Sequence, residues 1–183
     1  MVAARRLLEG APGSAVRMSD IAKAAGVSRQ AVYLHFPTRA ELLIATARYM
    51  DEVLDVAGRL AASRAAQTGR ERLDAYIEAW CGYIPEIYGV GRAFMAMEAS
   101  DDAAREAWAD RMRAMKEGCE AAVNALARDG DLKPGLEPPQ ATDLLWTLLS
   151  VRNWEHLTRD CGWSQAAYVE AIKYMAESVL VSG

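Results

Sequence analysis

The chain has 183 residues, of which 52% are hydrophobic and 25% are charged. This length allows one large domain or two small domains that share an interface, and the apolar content excludes a globally disordered chain. No apolar run is long enough to cross a membrane, and the amino terminus lacks the hydrophobic stretch of a signal peptide. We therefore expect a cytoplasmic protein with no membrane partner.

The charge is distributed unevenly along the chain. Residues 1–48 contain seven Lys or Arg against three Asp or Glu, a net charge of +4, whereas residues 49–183 carry a net charge of −8. A basic amino-terminal segment on an acidic body is typical of proteins that contact DNA at one end only. The alternative interpretation is chance clustering.

The cysteines are three in number and widely spaced, at Cys81, Cys119 and Cys161. This spacing matches neither a zinc site nor a disulfide framework. We expect buried, reduced thiols, with no metal and no cofactor.

The first predicted helix covers residues 2–10, and Pro12-Gly13-Ser14 predicts a loop. The run from Met18 to Phe36 then predicts two short helices joined at Gly26, where a left-handed residue costs least. Two short helices with a glycine turn between them are typical of a helix-turn-helix.

The two short helices have predicted caps, a predicted core and a polar outer surface. Ser19 and Ser28 are the predicted N-caps, because a serine oxygen can accept a hydrogen bond from a free backbone N–H. The residues predicted to form the small shared core are Ile21, Ala25, Val27, Val32 and Phe36. The polar residues left on the second helix are Arg29, Gln30, Tyr33 and His35. In a helix-turn-helix this second helix enters the major groove of DNA.

Pro37 ends the second short helix, and Thr38 with Glu41 predicts a capping box for the next one. This fourth predicted helix runs without interruption to about residue 63. We expect it to connect the amino-terminal region to the rest of the chain without a flexible linker, so that movement of the body reaches the amino-terminal region mechanically.

The rest of the chain is predicted to be helical, which makes the fold class all-α with about nine helices. The predicted elements are a helix over residues 70–84, an irregular stretch at 85–91, a helix to about residue 99, a helix to about residue 128, a loop at 129–139, and helices over 140–160 and 165–181. Asp101 or Asp102 is the predicted N-cap of the seventh helix, and Ser164 is that of the ninth.

Motifs at both ends of the chain carry a resemblance to a known family. They are Ile21–Ser28, Val32-Tyr33, His35–Pro37 and Glu41-Leu42 near the amino end, and Asp131–Leu136, Ala141–Trp146, Leu157–Ser164 and Tyr168 near the carboxyl end. With these residues the chain resembles a TetR-family transcriptional regulator, whereas residues 65–130 show only a general likeness.

The resemblance implies an amino-terminal helix-turn-helix DNA-binding domain of three helices, residues 1–45, joined by a long helix to a ligand-binding and dimerisation domain, residues 46–183. It implies a homodimer that pairs through the eighth and ninth predicted helices and binds a palindromic operator of double-stranded DNA. It also implies a site for a small-molecule effector inside the second domain.

Two features depart from the family pattern. Arg39 stands where the family often has Lys, and Arg keeps the charge while offering a planar fork to a phosphate. The chain also begins almost inside its first predicted helix, so we expect no DNA contact from a basic amino-terminal arm, and a start upstream of Met1 is left open.

The candidate DNA contacts divide into base readers and phosphate contacts. Arg29 and Gln30 are the predicted base readers, because Arg binds guanine O6 and N7 and Gln binds adenine N6 and N7. Tyr33 is predicted to contact a phosphate or a thymine methyl group. The predicted phosphate contacts are Ser19, Ser28, His35 and Arg39. Capping alone remains the alternative role of the serines, and a structural role that of His35.

Large apolar side chains are numerous in the body, as in proteins with an apolar ligand cavity. The predicted ligand-binding residues are Trp80, Tyr83, Phe94, Met97, Trp108, Met112, Trp146 and Asn153. Core packing is the alternative for each of them, and Trp146 can instead belong to the dimer interface.

His156 and Asp160 lie four residues apart, on one helix face, but no catalytic or phosphate-binding motif accompanies them. We therefore expect no enzyme. The leading hypothesis is a DNA-binding repressor released from its operator by a small apolar or aromatic ligand. The alternatives are a dimeric DNA-binding regulator that needs no ligand and, more remotely, an α-helical enzyme or scaffold.

Overall fold

The structure is a computed structural model that describes residues 1–10 and 15–183. Its elements are α1 (Val2–Gly10), α2 (Met18–Ala25), α3 (Arg29–His35), α4 (Arg39–Val53), α5 (Val56–Arg59), α6 (Ala61–Ala65), α7 (Gly69–Met97), α8 (Asp102–Asp129), α9 (Pro138–Leu148), α10 (Val151–Glu155), a π-helical turn (His156–Asp160) and α11 (Gln165–Leu180). The described residues form no β-strand, only one isolated bridge between Leu132 and Val181. The all-α prediction is confirmed, and the predicted loop at Pro12-Gly13-Ser14 lies outside the described residues.

The turn between α2 and α3 follows from local chemistry. Gly26 has a φ of 69°, in the left-handed region that glycine enters at no steric cost. The Ser28 Oγ accepts a hydrogen bond of 3.0 Å from the backbone N–H of Ala31, as predicted. The predicted cap at Ser19 is wrong, because α2 begins at Met18 with Arg17 as its N-cap, two residues before the predicted cap. The Asp20 carboxylate accepts from the Arg17 N–H instead.

The small core of this region is only partly the predicted one. Ile21 and Val32 are buried, and Phe36 packs against the same core. Ala25 and Val27 are exposed, so their predicted burial is wrong. They flank the left-handed Gly26, where the chain reverses its direction and turns both side chains outward.

The fourth helix is shorter than the sequence predicts. It ends at Val53, and Asp55 then adopts a φ of 50°, which interrupts the helix before α5 begins at Val56. Aspartate tolerates this left-handed conformation better than most residues. The expectation of one uninterrupted connecting helix to residue 63 is therefore wrong.

The helix boundaries around Pro85 and Leu148 also differ from the prediction. The helix α7 passes through Pro85 without a break, because Ile84 and Phe94 on either side are buried and tertiary packing outweighs the cost of a proline. The predicted helix over 140–160 is divided after Leu148. There the Asn153 side-chain amide donates to the carbonyl of Thr147 at 2.6 Å, which satisfies an acceptor that the helix end leaves free.

The chain divides into two compact units. Unit 1 comprises residues 1–55 and 86–113, and unit 2 comprises residues 56–85 and 114–183. Each of the long helices α7 and α8 contributes one end to unit 1 and the other to unit 2. This division is one of packing, and the functional boundary after residue 45 stays a prediction.

Unit 1 has a single hydrophobic core that the three amino-terminal helices do not form alone. Leu8, Ile21 and Leu43 pack in the same cluster as Phe94 from α7 and Ala107 from α8. The predicted DNA-binding region therefore shares its core with one end of α7 and one end of α8, which come later in the sequence.

Unit 2 contains two of the three cysteines in its interior. Burial raises the pKa of the Cys81 thiol to about 12 and that of the Cys119 thiol to about 12, so both stay protonated at neutral pH. All three cysteines are free thiols. Cys161 is exposed, which corrects the expectation that all three are buried.

Helix packing in unit 2 depends on a close approach at Gly118. A Cβ atom added there would overlap the Tyr76 hydroxyl and ring, and Tyr76 donates a hydrogen bond of 2.8 Å to the Met115 carbonyl. Gly82 also lies inside a helix, but an added methyl group there would meet open space among the described residues.

We expect Gly118→Ala to lower the free energy of unfolding by about 1–3 kcal/mol, because the methyl group displaces a buried tyrosine. Gly82→Ala is the matched control and is expected to raise it by about 0.5–1 kcal/mol through helix propensity. Urea unfolding of both variants measures the difference. Equal stability of the two variants would contradict the packing described here.

Candidate nucleic-acid interface

The outer surface of α3 presents a cluster of polar side chains. Arg29, Gln30 and Tyr33 are all exposed. The Arg29 guanidinium lies 5.4 Å from the centroid of the Tyr33 ring, and its Nη2 lies 3.4 Å from the tyrosine hydroxyl. This cation–π contact between residues one turn apart orders the arginine without burying it, so its donors stay available to a base edge.

The residues predicted to flank this cluster are also exposed. Ser19, Ser28 and His35 each face solvent. Ser28 fills the capping role, and its hydroxyl can still donate to a phosphate. The His35 ring lies 6.4 Å from the ring of Phe36, in a tilted arrangement.

The sequence analysis missed two exposed side chains on this surface. Leu34 on α3 is 79% exposed, and Lys23 on α2 is exposed as well. The sequence did contain a signal for Leu34, since it lies two residues after the buried Val32 and so on a different face of α3. An exposed apolar residue on a helix that enters the major groove can contact a thymine methyl group.

Arg39 is the exception among the predicted DNA contacts, because its guanidinium is already engaged. Nη1 lies 2.6 Å from each carboxylate oxygen of Asp101, and Nε donates to the Val16 carbonyl at 2.5 Å. The side chains of Arg39 and Asp101 are only 21% and 12% exposed. The arginine therefore joins the segment before α2 to the start of α8.

Asp101 accepts hydrogen bonds from the backbone as well as from Arg39. Its Oδ1 also accepts from the backbone N–H groups of Ala103 and Ala104 at 3.1 and 3.2 Å, which confirms Asp101 as the N-cap of α8. Burial alone would raise the pKa of Asp101, but the bonds from Arg39 and the two amides outweigh burial and lower it. The carboxylate is thus held ionised.

A second ionic cluster joins α4 and α8 further along both helices. Arg48 Nη2 lies 2.8 Å from Asp110, and Arg111 binds both Asp110 and Asp51. Burial would raise the pKa of Asp110, but the hydrogen bonds from Arg48 and Arg111 lower it on balance. Asp110 is only 9% exposed and the Arg111 side chain 19%, so solvent screens that pair weakly. The Arg48 side chain is 59% exposed, so its contact with Asp110 is the more strongly screened.

Acid is expected to weaken this cluster. The native pKa of Asp110 lies below its ordinary value of 3.8. The contribution of Asp110 to stability is therefore complete above about pH 5 and is lost as the pH falls through the native pKa. We expect Asp110→Asn to cost roughly 1–3 kcal/mol at pH 7 and to unfold with a smaller loss of stability between pH 4 and pH 2.5 than the wild type.

Urea unfolding at pH 7, 4 and 2.5 measures this difference. Asp102→Asn, which removes a carboxylate that is 91% exposed, is the control and is expected to follow the wild type. Parallel acid profiles for wild type and Asp110→Asn would contradict the assigned role of the carboxylate.

Four of the predicted ligand-binding residues belong to unit 1. Phe94 and Met97 are 1% exposed and pack inside the core of the unit. Trp108 packs against that core, and Met112 is half-buried. Core packing explains the first two without a ligand.

The other four belong to unit 2. Trp80 Nε1 donates to the Leu149 carbonyl at 2.8 Å, and its ring meets that of the buried Tyr83 edge-on at 5.9 Å. Lys116 Nζ lies 5.2 Å from the ring centroid of Trp146. The Asn153 side-chain amide donates hydrogen bonds to the backbone carbonyls of Thr147 and Leu148 at the end of α9.

Unit 2 also contains a groove of about 510 Å³ that none of the predicted ligand residues lines. Its floor is apolar, with Leu73, Ile77 and Val181, and its rim is charged. The rim cations are engaged, since Arg70 binds Asp131 and Lys173 binds Asp74 and Glu78.

His156, Asp160 and Cys161 lie together at the π-helical turn. His156 Nδ1 is 3.3 Å from an Asp160 oxygen, and Cys161 Sγ is 3.9 Å from His156 Nε2. The shared helix face of His156 and Asp160 was predicted, although all three side chains are exposed to water. Within residues 1–10 and 15–183, no group of three or more His, Cys, Asp and Glu is arranged to hold a metal, and no helix is long and apolar enough to span a membrane.

Comparison with known proteins identifies relatives of this architecture. Residues 1–46 match the family model of the bacterial regulatory proteins of the tetR family. No curated protein sequence matches the chain.

Among solved structures, the chain is similar to NalD from Pseudomonas aeruginosa, the secondary repressor of the MexAB-OprM multidrug efflux pump. The identity is 25% over 98% of this chain and 92% of that chain, with a TM-score of 0.70. It is also similar to the transcriptional regulator FadR from Bacillus subtilis, solved with stearoyl-CoA, at 16% identity over 96% and 94% of the two chains and a TM-score of 0.75. A complex of SmeT with triclosan is 18% identical over 98% and 88%, with a TM-score of 0.70.

Proposed function

We propose that this chain is a sequence-specific transcriptional repressor, because residues 1–46 match the family model of the bacterial regulatory proteins of the tetR family. It binds a palindromic operator as a homodimer and is released by a small apolar or aromatic ligand. The observation that carries the DNA-binding part is the exposed, capped surface of α3, where Arg29, Gln30 and Tyr33 stand together. Such a regulator acts on chromosomal DNA in the cytoplasm.

Each exposed side chain receives a role in this proposal. Arg29 and Gln30 read base edges, because they lie in the first turn of α3, the part of a recognition helix nearest the bases. Tyr33 contacts a phosphate or a thymine methyl group. Ser19, Ser28 and His35 contact phosphates, which fix the register without reading the sequence.

We expect Arg29→Ala to weaken operator binding by about 1–3 kcal/mol and to relax the preference at one base pair, because a bidentate contact to guanine is lost. Lys23→Ala, which removes the same charge from the exposed side of α2, is expected to weaken operator and random duplex alike. Fluorescence anisotropy with the operator and a random duplex measures, for each variant, the ratio of its affinity to that of the wild type. An equal loss on both duplexes for Arg29→Ala would contradict its role as a base reader.

Selection of bound genomic fragments, followed by sequencing, provides the operator for these measurements. A DNA-binding regulator is expected to lose affinity steeply with salt, with a slope of about −0.9 per phosphate contacted. An α-helical enzyme or scaffold, the remote alternative, predicts neither an enriched sequence nor this slope.

We assign the homodimer contact to α9 and α11. The helix α9 corresponds to the first part of the eighth predicted helix, and α11 corresponds to the ninth. Large apolar side chains remain exposed there: Tyr174 on α11 is 73% exposed, Val179 on α11 is 38% and Leu144 on α9 is 40%. Exposed large apolar side chains on two such helices are what a protein–protein contact would bury. These side chains would be buried in an isologous pairing, in which two copies present the same surface to each other.

We expect Tyr174→Glu to convert the dimer into a monomer, because a carboxylate would be buried at the centre of the contact. Val53→Glu is the matched control, since Val53 is 48% exposed at the end of α4, outside α9 and α11. Light scattering coupled to size-exclusion chromatography distinguishes the two states. A dimeric Tyr174→Glu variant would place the contact elsewhere.

The ligand part of the proposal rests on the neighbours and on the aromatic content of the body. FadR was solved with stearoyl-CoA and SmeT with triclosan. The competing proposal is a dimeric regulator that needs no ligand, which the complete burial of Phe94 and Met97 favours. Titration of the operator complex with acyl-CoA thioesters and triclosan separates the two. If the ligand releases the protein from DNA, bound ligand lowers the affinity for the operator, and bound operator lowers the affinity for the ligand by the same factor. An operator affinity that bound ligand leaves unchanged favours the regulator that needs no ligand.

A further inference from the structure

We propose that Arg39 is a positioning residue of the DNA interface, which acts through Asp101, and that it does not contact a phosphate. This inference rests on the proposed DNA-binding function and assigns a residue of it. The sequence analysis predicted a phosphate contact for Arg39, from its charge and its place at the start of α4.

The donors of Arg39 are already occupied or enclosed. Nε and Nη1 donate to the Val16 carbonyl and to the Asp101 carboxylate. Nη2 is buried and has no hydrogen-bond partner among the described residues. A phosphate could be reached only after the ion pair is broken, which would leave the largely buried Asp101 carboxylate without its cation.

The partner of Arg39 has a second structural role that strengthens the attachment. Asp101 is the N-cap of α8, so the amides of Ala103 and Ala104 hold the same carboxylate in place. Negative charge at this end of a helix is also favourable for the helix dipole. The start of α4 is therefore tied to a rigid helix end.

The second ionic cluster makes this a two-point attachment. Arg39 pairs with Asp101 and Arg48 with Asp110, both across 62 positions of sequence. The constant offset means that α4 and α8 run in the same direction, with contact points about 14 Å apart along each helix. Two fixed points prevent α4 from sliding or tilting on α8.

The attachment matters for DNA because α3 depends on α4 for its orientation. Only residues 36–38 separate the end of α3 at His35 from the start of α4 at Arg39. Val16, which accepts from Arg39, immediately precedes the N-cap of α2. The single guanidinium thus holds both sides of the helix-turn-helix, and base readout requires positions accurate to fractions of an ångström.

The variants Asp101→Asn and Arg39→Lys distinguish positioning from phosphate contact. A phosphate role predicts that Asp101→Asn strengthens DNA binding, since it removes a negative charge and frees the arginine. The same role predicts that Arg39→Lys binds like the wild type, since Lys also contacts phosphate. A positioning role predicts that both variants bind the operator roughly tenfold more weakly, with an unchanged salt slope, and that the double variant is no worse than either single one.

The measurement is fluorescence anisotropy of the full chain with the operator duplex selected from genomic DNA, at several salt concentrations. Asp102→Asn is the matched control, because it removes the same charge from the adjacent residue, which pairs with Arg105 one turn away on α8. This variant is expected to bind as the wild type does or slightly more tightly. Circular dichroism and thermal unfolding identify the temperature at which every variant is folded. If Asp101→Asn does not fold, Arg39→Lys carries the same comparison.

Weaker operator binding by both variants, with wild-type salt slopes, supports the proposal. Wild-type or tighter binding by Asp101→Asn, or wild-type binding by Arg39→Lys, overturns it. Failure of the wild-type protein to bind any selected duplex overturns the proposed function itself, so the two failures are distinguishable.

Discussion

The ion pair between Arg39 and Asp101 is the contact on which the geometry of unit 1 depends. Three parts of the chain meet at it: the segment before α2, the first turn of α4 and the N-cap of α8. Enclosing two charges costs free energy, and the cost is offset only when hydrogen bonds satisfy both groups. Three donors, Arg39 Nη1 and the backbone N–H groups of Ala103 and Ala104, bind this carboxylate, so its ionised form is favoured and the junction is specific to one arrangement.

The shared core of unit 1 explains why such a junction is needed. Three short helices enclose too little apolar surface to be stable on their own. Here additional apolar surface comes from α7 and α8, through residues such as Phe94 and Ala107, which pack in the same core. A core of this kind is non-directional and tolerates sliding, whereas the two ionic attachments select one register between α4 and α8. Burial supplies the stability of the region, and the ion pairs supply its orientation.

Features that depend on neighbouring residues were predictable from the sequence. The caps at Ser28, Thr38 and Ser164 and the left-handed Gly26 are confirmed, because each involves atoms within three or four positions. The all-α class and the polar face of α3 followed from residue spacing alone. The exposure of Arg29 and Gln30 agrees with that interpretation, while their contact with bases stays a proposal.

Features that depend on distant residues were not predictable. The passage of α7 through Pro85 reflects burial on both sides, which outweighs the local preference to end the helix. The interruption of α4 at Asp55 left no strong signal in a continuous helical pattern. The partner of Arg39 lies 62 positions away, and charge alone cannot distinguish an arginine reserved for DNA from one enclosed by its own chain.

The central claim is tested most directly by a crystal structure of the protein bound to its operator duplex. The account predicts that the Arg39 guanidinium remains within hydrogen-bond distance of Asp101 and the Val16 carbonyl, while Arg29 lies against base edges in the major groove. An Arg39 side chain that has left Asp101 and lies on a phosphate oxygen would contradict it.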